Sequence, residues 1–437
     1  MKKFAFIGAG SLQFTTNTVR DLLTFPAFEE CEFALMDINP SNLDNIADIV
    51  SCIIQKMNKP KCKITKTTDR RTALKGADAV LCTVFNGDVD VWQYDVLIPK
   101  KYGIDINIGD TRSVSGIFRA LRNIPLMLDI CRDIEECCPR AVFLNYTNPM
   151  AMLCGAMQKY ANVEVTGLCH SVQGTAKMLA EWLHVPYEEM DYLCLGVNHQ
   201  AFYTKLSHQG KDLYPQLREL LKNPEYYNKE QVRNEMFLKL GCYVTESSGH
   251  NSEYNQWFRK RPDLIEKYCT HGTNWNPGVY AYSLNYRLER NKNVQKQYDD
   301  WYKSDFSYNK SPEYAAEIFN ARIGDSKPFV FNGNVLNRGS IPNLPADACV
   351  EVPVVADRMG MKTTIAGPLP EHLAILVNTT ARMESLVVEA AMHKSKEMLY
   401  HAVYMDPLSS AVCSLDEIQK MCDELFEVNK DFLGEYR

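Results

Sequence analysis

Phe4-Ala5-Phe6-Ile7-Gly8-Ala9-Gly10-Ser11 is the stretch that decides the first half of the fold. Four apolar residues running into glycine are the pattern of a short parallel strand buried on both faces. Residues 16–23 then take helical spacing, so the glycines stand at a strand-to-helix turn. A dinucleotide site needs that context: glycines permit a tight bend and bring backbone N–H groups close to a pyrophosphate at the helix N-terminus. The third glycine of the strict pattern is absent, with Gln13 in its place. A second strand over 32–36 ends at Asp37, where a carboxylate can accept hydrogen bonds from both ribose hydroxyls and repel a 2′-phosphate. Gly8, Gly10, Ser11 and Asp37 are therefore candidate cofactor residues, and NAD is favoured over NADP. The alternative is an α/β turn of the same kind that holds no nucleotide.

The alternation continues outward from this turn. A helix is expected over 41–56 with Ser41 as its N-cap, a third strand over 79–84, and a helix over 116–137. A fourth strand over 141–144 ends at Asn145-Tyr146-Thr147-Asn148-Pro149, and a fifth over 163–168 ends at Cys169-His170. Doubly wound α/β sheets bind ligands at the carboxyl ends of their strands, which is where these polar residues fall. Beyond Gly196 the pattern loosens. Residues 223–228 and 293–309 read as polar, aromatic loops, apolar runs return at 329–331 and 350–355, and the tail from 371 is largely helical. The expected fold class is α/β: an N-terminal Rossmann-like doubly wound parallel sheet over 1–196 and a C-terminal α+β domain over 197–437. That arrangement is lactate/malate dehydrogenase-like overall. With no repeat and no linker, the two parts are expected to pack tightly.

The bulk properties exclude several classes. A chain of 437 residues exceeds one ordinary core, and 46% hydrophobic with 23% charged residues is the composition of a globular protein. A formal net charge of -6 gives no electrostatic reason to expect nucleic acid or an anionic membrane as partner. The densest basic cluster, Arg259-Lys260-Arg261, reads as a solvated face. The N-terminal apolar run is too short for a signal peptide, and no segment reaches the roughly 18 apolar residues of a membrane span. Fifteen cysteines, with no C-x-x-C pair and with Cys82, Cys154 and Cys194 inside apolar runs, favour a reducing cytoplasm.

Cys169 and His199 are of the residue types that bind first-row transition metals. Their separation forms no local motif, so spacing alone favours a core thiol and a satisfied buried imidazole over a pair of ligands.

The order of segments is more specific. Phe6-Ile7-Gly8-Ala9-Gly10-Ser11, Ala34-Leu35-Met36-Asp37-Ile38, Phe143 to Met152, and Gly167-Leu168-Cys169-His170-Ser171-Val172-Gln173-Gly174-Thr175 all belong to it. So do Gly196-Val197-Asn198-His199, Tyr243-Val244-Thr245-Glu246-Ser247-Ser248, Asn343-Leu344-Pro345 and Val350-Glu351-Val352. Together they resemble glycoside hydrolase family 4, its melibiase-type α-galactosidases above all. The resemblance implies an NAD- and divalent-metal-dependent glycosidase, an exception to the two-carboxylate rule for glycoside cleavage. It implies hydride removal from C3 of the sugar, deprotonation at C2, elimination at C1, and a return of the hydride after water adds. It also implies manganese as the metal, a small glycoside as substrate and a homodimer or homotetramer, with the second domain serving substrate, metal and oligomerisation.

Carried over on matching positions, Cys169 and His199 would ligate the metal and Asn148 would contact the sugar hydroxyls. His170 stands where phosphoglycoside-cleaving relatives carry an aspartate acid; it can protonate a leaving group or only orient the sugar. Tyr254 is the expected base, with Tyr243 as runner-up, and a nearby cation or metal must lower its pKa. The chain also departs from the pattern. Asn86-Gly87-Asp88, with Asn86 expected at the cofactor, replaces a glycine pair, and Gly249 stands where glutamate is common. Asp110-Thr111-Arg112 replaces a glycine-rich run. Asp110 and Arg112 are expected at the substrate, Arg112 being either a solvated charge or a partner for an anionic sugar. Arg119 and Arg122 share a helix face.

The function expected is therefore α-glycosidase, best on α-galactosides. The same-family alternatives are α-galacturonides, α-glucosides or another acidic, for example sulfonated, glycoside. Outside the family stand an NAD-dependent 2-hydroxyacid dehydrogenase and a non-catalytic NAD-binding sensor.

Overall fold

A computed structural model describes residues 1–273, 275–325 and 327–437. Six strands run parallel: β1 (Lys2–Ile7), β2 (Cys31–Met36), β3 (Lys63–Thr67), β4 (Ala79–Cys82), β5 (Val142–Asn145) and β6 (Val165–Gly167). Their spatial order is β3-β2-β1-β4-β5-β6, the doubly wound order, which reverses between β1 and β4. The apolar run of β1 explains its central place: Phe4 and Phe6 point into one core, Ala5 and Ile7 into another. Strands buried on both faces lose their alternation of polar and apolar residues.

The same sheet continues antiparallel into the second half. β7 (Met190–Val197), β8 (Gln200–His208), β9 (Lys211–Asp212), β10 (Tyr243–Val244), β11 (Phe329–Leu336), β12 (Cys349–Asp357) and β13 (Gly360–Thr363) extend it in the order β6-β11-β12-β7-β8-β10. β9 pairs with β8 and β13 with β12. The expected division at 196/197 falls at the end of β7, inside this shared sheet. The architecture is mixed α/β with a mostly parallel N-terminal half, as expected.

Several local expectations are corrected. β3 was not foreseen, because an edge strand with largely exposed side chains carries no apolar run. The helix after β2 is Pro40–Lys56, and its cap is Asn39, not Ser41; the Asn39 side chain accepts from the N–H groups of Ser41 and Asn42. Proline at the first helical position moves the start forward. The stretches read as loops contain the helices Pro224–Lys229 and Val294–Lys303. Arg259 is no solvated charge: it is 1% exposed and bound to Asp105 and Ser252. Among the described residues, no helix is long and apolar enough to cross a membrane.

Arg122 shows how the helices are tied. It pairs with Asp95 on the helix Asp88–Lys101, both side chains being 0% exposed, and donates to Asn429 Oδ1 at 2.7 Å near the C-terminus. Removing one partner strands a buried charge, so Asp95→Ala is expected to destabilise the fold by about 3–5 kcal/mol. A urea-unfolding midpoint equal to that of the parent would show that Arg122 finds another partner.

Candidate active site

The turn after β1 is shaped by its glycines. Gly8 has φ +83°, and a Cβ there would lie 2.5 Å from the carbonyl oxygen of Thr83, the residue after β4, across the point of strand reversal. A Cβ on Gly10 would lie 2.7 Å from Asp37 Oδ2. Asp37 accepts from Gly10 N–H at 2.8 Å and from Asn39 N–H at 2.9 Å, so it closes one wall of the cradle. Ser11 occupies the N-cap position of the helix Leu12–Leu22 without a side-chain cap bond. A bare turn, a helix N-terminus and a carboxylate at the end of β2 suit a dinucleotide. Asn86 lies in the loop after β4, where its Nδ2 donates to the Arg122 carbonyl at 2.9 Å.

Cys169 and His199, thirty positions apart, meet. Cys169 follows the strand end of β6, and His199 sits in the two-residue turn between β7 and β8 with φ +61°. Holding a non-glycine residue there costs about 1–2 kcal/mol. Cys169 Sγ lies 3.0 Å from His199 Nε2. The other ring nitrogen faces Thr111 Oγ1 at 3.2 Å and the Tyr254 hydroxyl at 3.4 Å. Thr111 donates its single proton to Asp110 Oδ1 at 2.8 Å, so it accepts from His199 Nδ1. That assigns the imidazole proton to Nδ1 and leaves the Nε2 lone pair facing Cys169. Burial holds the His199 pKa down to about 4, keeping the ring neutral at pH 7. Burial also pushes the Cys169 thiol well up, helped by Glu351 and Glu246. A neutral imidazole and a thiol that a cation would deprotonate fit a divalent metal.

Tyr254 ends the helix Ser248–Tyr254 and is 1% exposed. Burial, Asp110 and Glu253 push its pKa up, while Arg112 pulls it down. The Arg112 guanidinium lies 4.9 Å from the centre of the Tyr254 ring. Arg112 itself corrects an expectation. It is 1% exposed, not solvated, and its Nε donates to Glu384 Oε1 at 2.9 Å while Nη2 reaches the Asn198 carbonyl. Its charge is compensated from within the fold. Tyr243, the runner-up base, is engaged elsewhere, its hydroxyl donating to Asn234 at 2.8 Å.

Asp110 is placed by Glu253, whose carboxylate accepts three backbone N–H groups, from Asn107, Ile108 and Gly109, at 2.8–2.9 Å. Burial acts to raise the Asp110 pKa, but His250, His199 and Arg119 overcome it and bring it to about 2. Asn148 Nδ2 lies 3.5 Å from Asp110 Oδ2, and Asn148 Oδ1 is buried without a partner among the described residues. Gly249 is glycine for a steric reason: a Cβ would lie 2.1 Å from Asn276 Nδ2 and 2.5 Å from Asn107 Oδ1. His170 stacks beside Phe14 and Tyr146, with ring centres at 5.7 and 5.6 Å, and its Nε2 lies 2.6 Å from Glu313 Oε2.

The structure thus gathers Cys169, His199, Tyr254, Asp110 and Asn148 in one place. Two groups not singled out from sequence join them, and a third stands beside His170. Glu246 Oε2 is 3.4 Å from His199 Nε2, His250 Nδ1 is 3.2 Å from Glu246 Oε1, and Glu313 holds His170. Glu246 and His250 lie beside Ser247, a helix-capping residue, and only that proximity to Tyr254 could have drawn attention to them.

Comparison with known proteins identifies the family along most of the chain. The family model described as "Family 4 glycosyl hydrolase" matches residues 3–185, and that of its C-terminal domain matches 194–409. An α-galactosidase of Bacillus subtilis (strain 168) is 39% identical over 450 residues, covering 100% of both chains. An α-galacturonidase of Thermoanaerobacterium saccharolyticum (strain DSM 8691 / JW/SL-YS485) is 28% identical, over 99% of this chain and 97% of that one. Among solved structures, a 6-phospho-α-glucosidase from gut microorganisms, in complex with NAD and Mn2+, superposes with a TM-score of 0.81 at 19% identity over 100% of both chains.

Proposed function

This chain belongs to family 4 of the glycosyl hydrolases, and from that premise we propose that it hydrolyses small α-glycosides, α-galactosides first, with NAD and a divalent metal, manganese before others. The observation that carries the reading is Cys169 Sγ at 3.0 Å from His199 Nε2, with the Tyr254 hydroxyl on the other nitrogen of the same ring. Held by the turn at Gly8 and Gly10, NAD would supply a hydride acceptor, and a cation held by Cys169 and His199 would supply Lewis acidity to the sugar.

The chain's own groups do the rest. Gly8 and Gly10 leave room for the dinucleotide, and Asp37 takes the ribose hydroxyls. Asn148, with its unpartnered Oδ1, and Asp110 orient the sugar hydroxyls. Tyr254 takes the C2 proton at its hydroxyl oxygen. His170 protonates the departing glycosidic oxygen. A reducing cytoplasmic setting and a symmetric homo-oligomer belong to the same proposal; buried thiols such as Cys82, Cys154 and Cys194 support the first, and the prevalence of symmetric assemblies supports the second.

The test is hydrolysis of an aryl α-galactoside in D2O, with and without NAD and Mn2+. Turnover that needs both, with deuterium at C2 of the released galactose, is expected. Retention of the original C2 proton would rule out elimination, and net NADH would point to a dehydrogenase. Acidic α-glycosides are the second reading. Arg112 is already compensated by Glu384, but the guanidinium groups of Arg119 and Arg287 lie 4.3 and 4.9 Å from the Phe85 ring, and Arg119 Nη1 has no partner among the described residues. An α-galacturonide in the same plate separates the two.

The role of His170 has its own signature. Burial acts to lower its pKa, but the Glu313 carboxylate outweighs that and leaves it raised above 6.5. An acid must carry its proton, so activity is lost as pH rises through the His170 pKa. Glu313→Gln removes the anion, lowers that pKa, and is expected to move the alkaline limb of kcat/KM to lower pH. An unmoved limb would leave His170 only an orienting role.

A further inference from the structure

We propose that Glu246 is a third protein ligand of the divalent cation, on the same ion as Cys169 and His199. The inference rests on the reading that those two residues hold a metal.

Three different donor atoms converge: Cys169 Sγ, His199 Nε2 and a Glu246 carboxylate oxygen all lie within 4.8 Å of one another. The individual spacings are 3.0 Å from sulfur to Nε2 and 3.4 Å from Nε2 to Oε2. One ion placed among them can touch all three, since Mn–O, Mn–N and Mn–S bonds are each about 2–2.5 Å long. The fold spends conformational strain to put the carboxylate there. Glu246 has φ +67°, a left-handed conformation that costs a side-chain-bearing residue about 1–2 kcal/mol. Its two neighbours are fixed, Thr245 by its backbone bond to Ala201 at 2.9 Å and Ser247 as the cap of the helix that ends in Tyr254.

The two carboxylate oxygens have different surroundings. Oε1 faces His250 Nδ1 at 3.2 Å, a nitrogen that also meets Ser247 Oγ at 2.7 Å. Oε2 faces the imidazole nitrogen that carries the lone pair. The charge sum points to the cation. A thiolate, a carboxylate and a neutral imidazole together cancel a 2+ ion, whereas a thiolate alone leaves a net charge uncompensated. Mixed sulfur, nitrogen and oxygen donors with positions left for two sugar oxygens give the higher coordination number that manganese accepts.

A competing trio, Asp110, His199 and His250, shares the His199 ring. It offers no thiolate, and Asp110 already accepts from Thr111. The test therefore compares both. Free Mn2+ is titrated by its EPR signal against the parent, Cys169→Ser, Glu246→Gln and Asp110→Asn proteins, each saturated with NAD. Glu246→Gln keeps the shape and removes the charge; it is expected to raise the Mn2+ dissociation constant at least tenfold, with Asp110→Asn within about threefold of the parent. Folding is checked by melting without metal, where Glu246→Gln should match the parent, and with Mn2+, where its gain in Tm should be smaller. Parent-like Mn2+ affinity in Glu246→Gln while Cys169→Ser has lost it overturns this proposal and leaves the metal reading intact. A larger loss in Asp110→Asn than in Glu246→Gln overturns it in favour of the other trio. Parent-like affinity in Cys169→Ser overturns the metal reading itself.

Discussion

Cys169→Ser is expected to lower the hydrolysis of an aryl α-galactoside by about a thousandfold or more, and added Mn2+ is not expected to restore it. Lewis-acid stabilisation of charge on the sugar oxygens is worth several kcal/mol, and each 1.4 kcal/mol is roughly tenfold in rate. Serine preserves the volume but offers a hydroxyl that a cation at this site cannot readily deprotonate, whereas the thiol can give up its proton to the ion. The substitution should leave the melting temperature without metal close to that of the parent, because among the described residues the buried sulfur is partnered by Ser171 and His199, which a hydroxyl can also meet. Turnover equal to that of the parent would remove Cys169 from the chemistry. The thiol also fixes a pH dependence. Burial pushes its pKa well above 9.0, so at pH 7 it is protonated and metal binding must release a proton. Apparent Mn2+ affinity is therefore expected to rise with pH, by up to about tenfold per unit below the thiol pKa. A flat profile between pH 6 and 8 would mean that the cation does not sit on the sulfur.

Tyr254→Phe is expected to cost about 10²–10⁴-fold in kcat, the range for removing a positioned acid or base. The loss should fall on kcat, with NAD affinity unchanged, because the ring that packs over Arg112 is retained and only the hydroxyl facing His199 is lost. Exchange of the C2 proton with D2O should disappear in parallel with hydrolysis. Full C2 exchange in the variant would assign the base elsewhere. The physical difficulty is that burial, Asp110 and Glu253 all hold the phenol protonated. Arg112 opposes them from one face, and a cation between Cys169 and His199 would oppose them from another. On the proposed reading the phenol would become a competent base when the metal is bound, with Arg112 as a buried positive charge beside it and Glu384 as its counter-ion.

How much of this was legible depends on the range of the interactions involved. Phe4 to Ser11 and Asp37 were readable because a buried strand, its glycine turn and the following carboxylate lie close together in sequence and obey local rules. β3 was not, because an exposed edge strand has no apolar face to leave a trace. The helices Pro224–Lys229 and Val294–Lys303 were hidden by polar and aromatic residues that read equally well as loop. Arg112 was misjudged for a different reason. A charge looks solvated in sequence unless its partner is near, and here the partner is Glu384, 272 residues away. Glu246 and His250 were present in a recognisable segment, but nothing local gave them a role.

By itself, then, the sequence determined the doubly wound N-terminal half, the nucleotide turn with its acidic residue, and, through the order of its segments, the family. Each is written in residues that are neighbours along the chain or at recurring spacings. Only the tertiary structure decided that Cys169, His199 and Tyr254 meet, which nitrogen of His199 faces the sulfur, that Arg112 is buried behind the tyrosine, and that Glu246 turns toward the same point. Those facts depend on strand ends from both halves being brought together by one continuous sheet, and no local rule of spacing can report a distance set by that pairing.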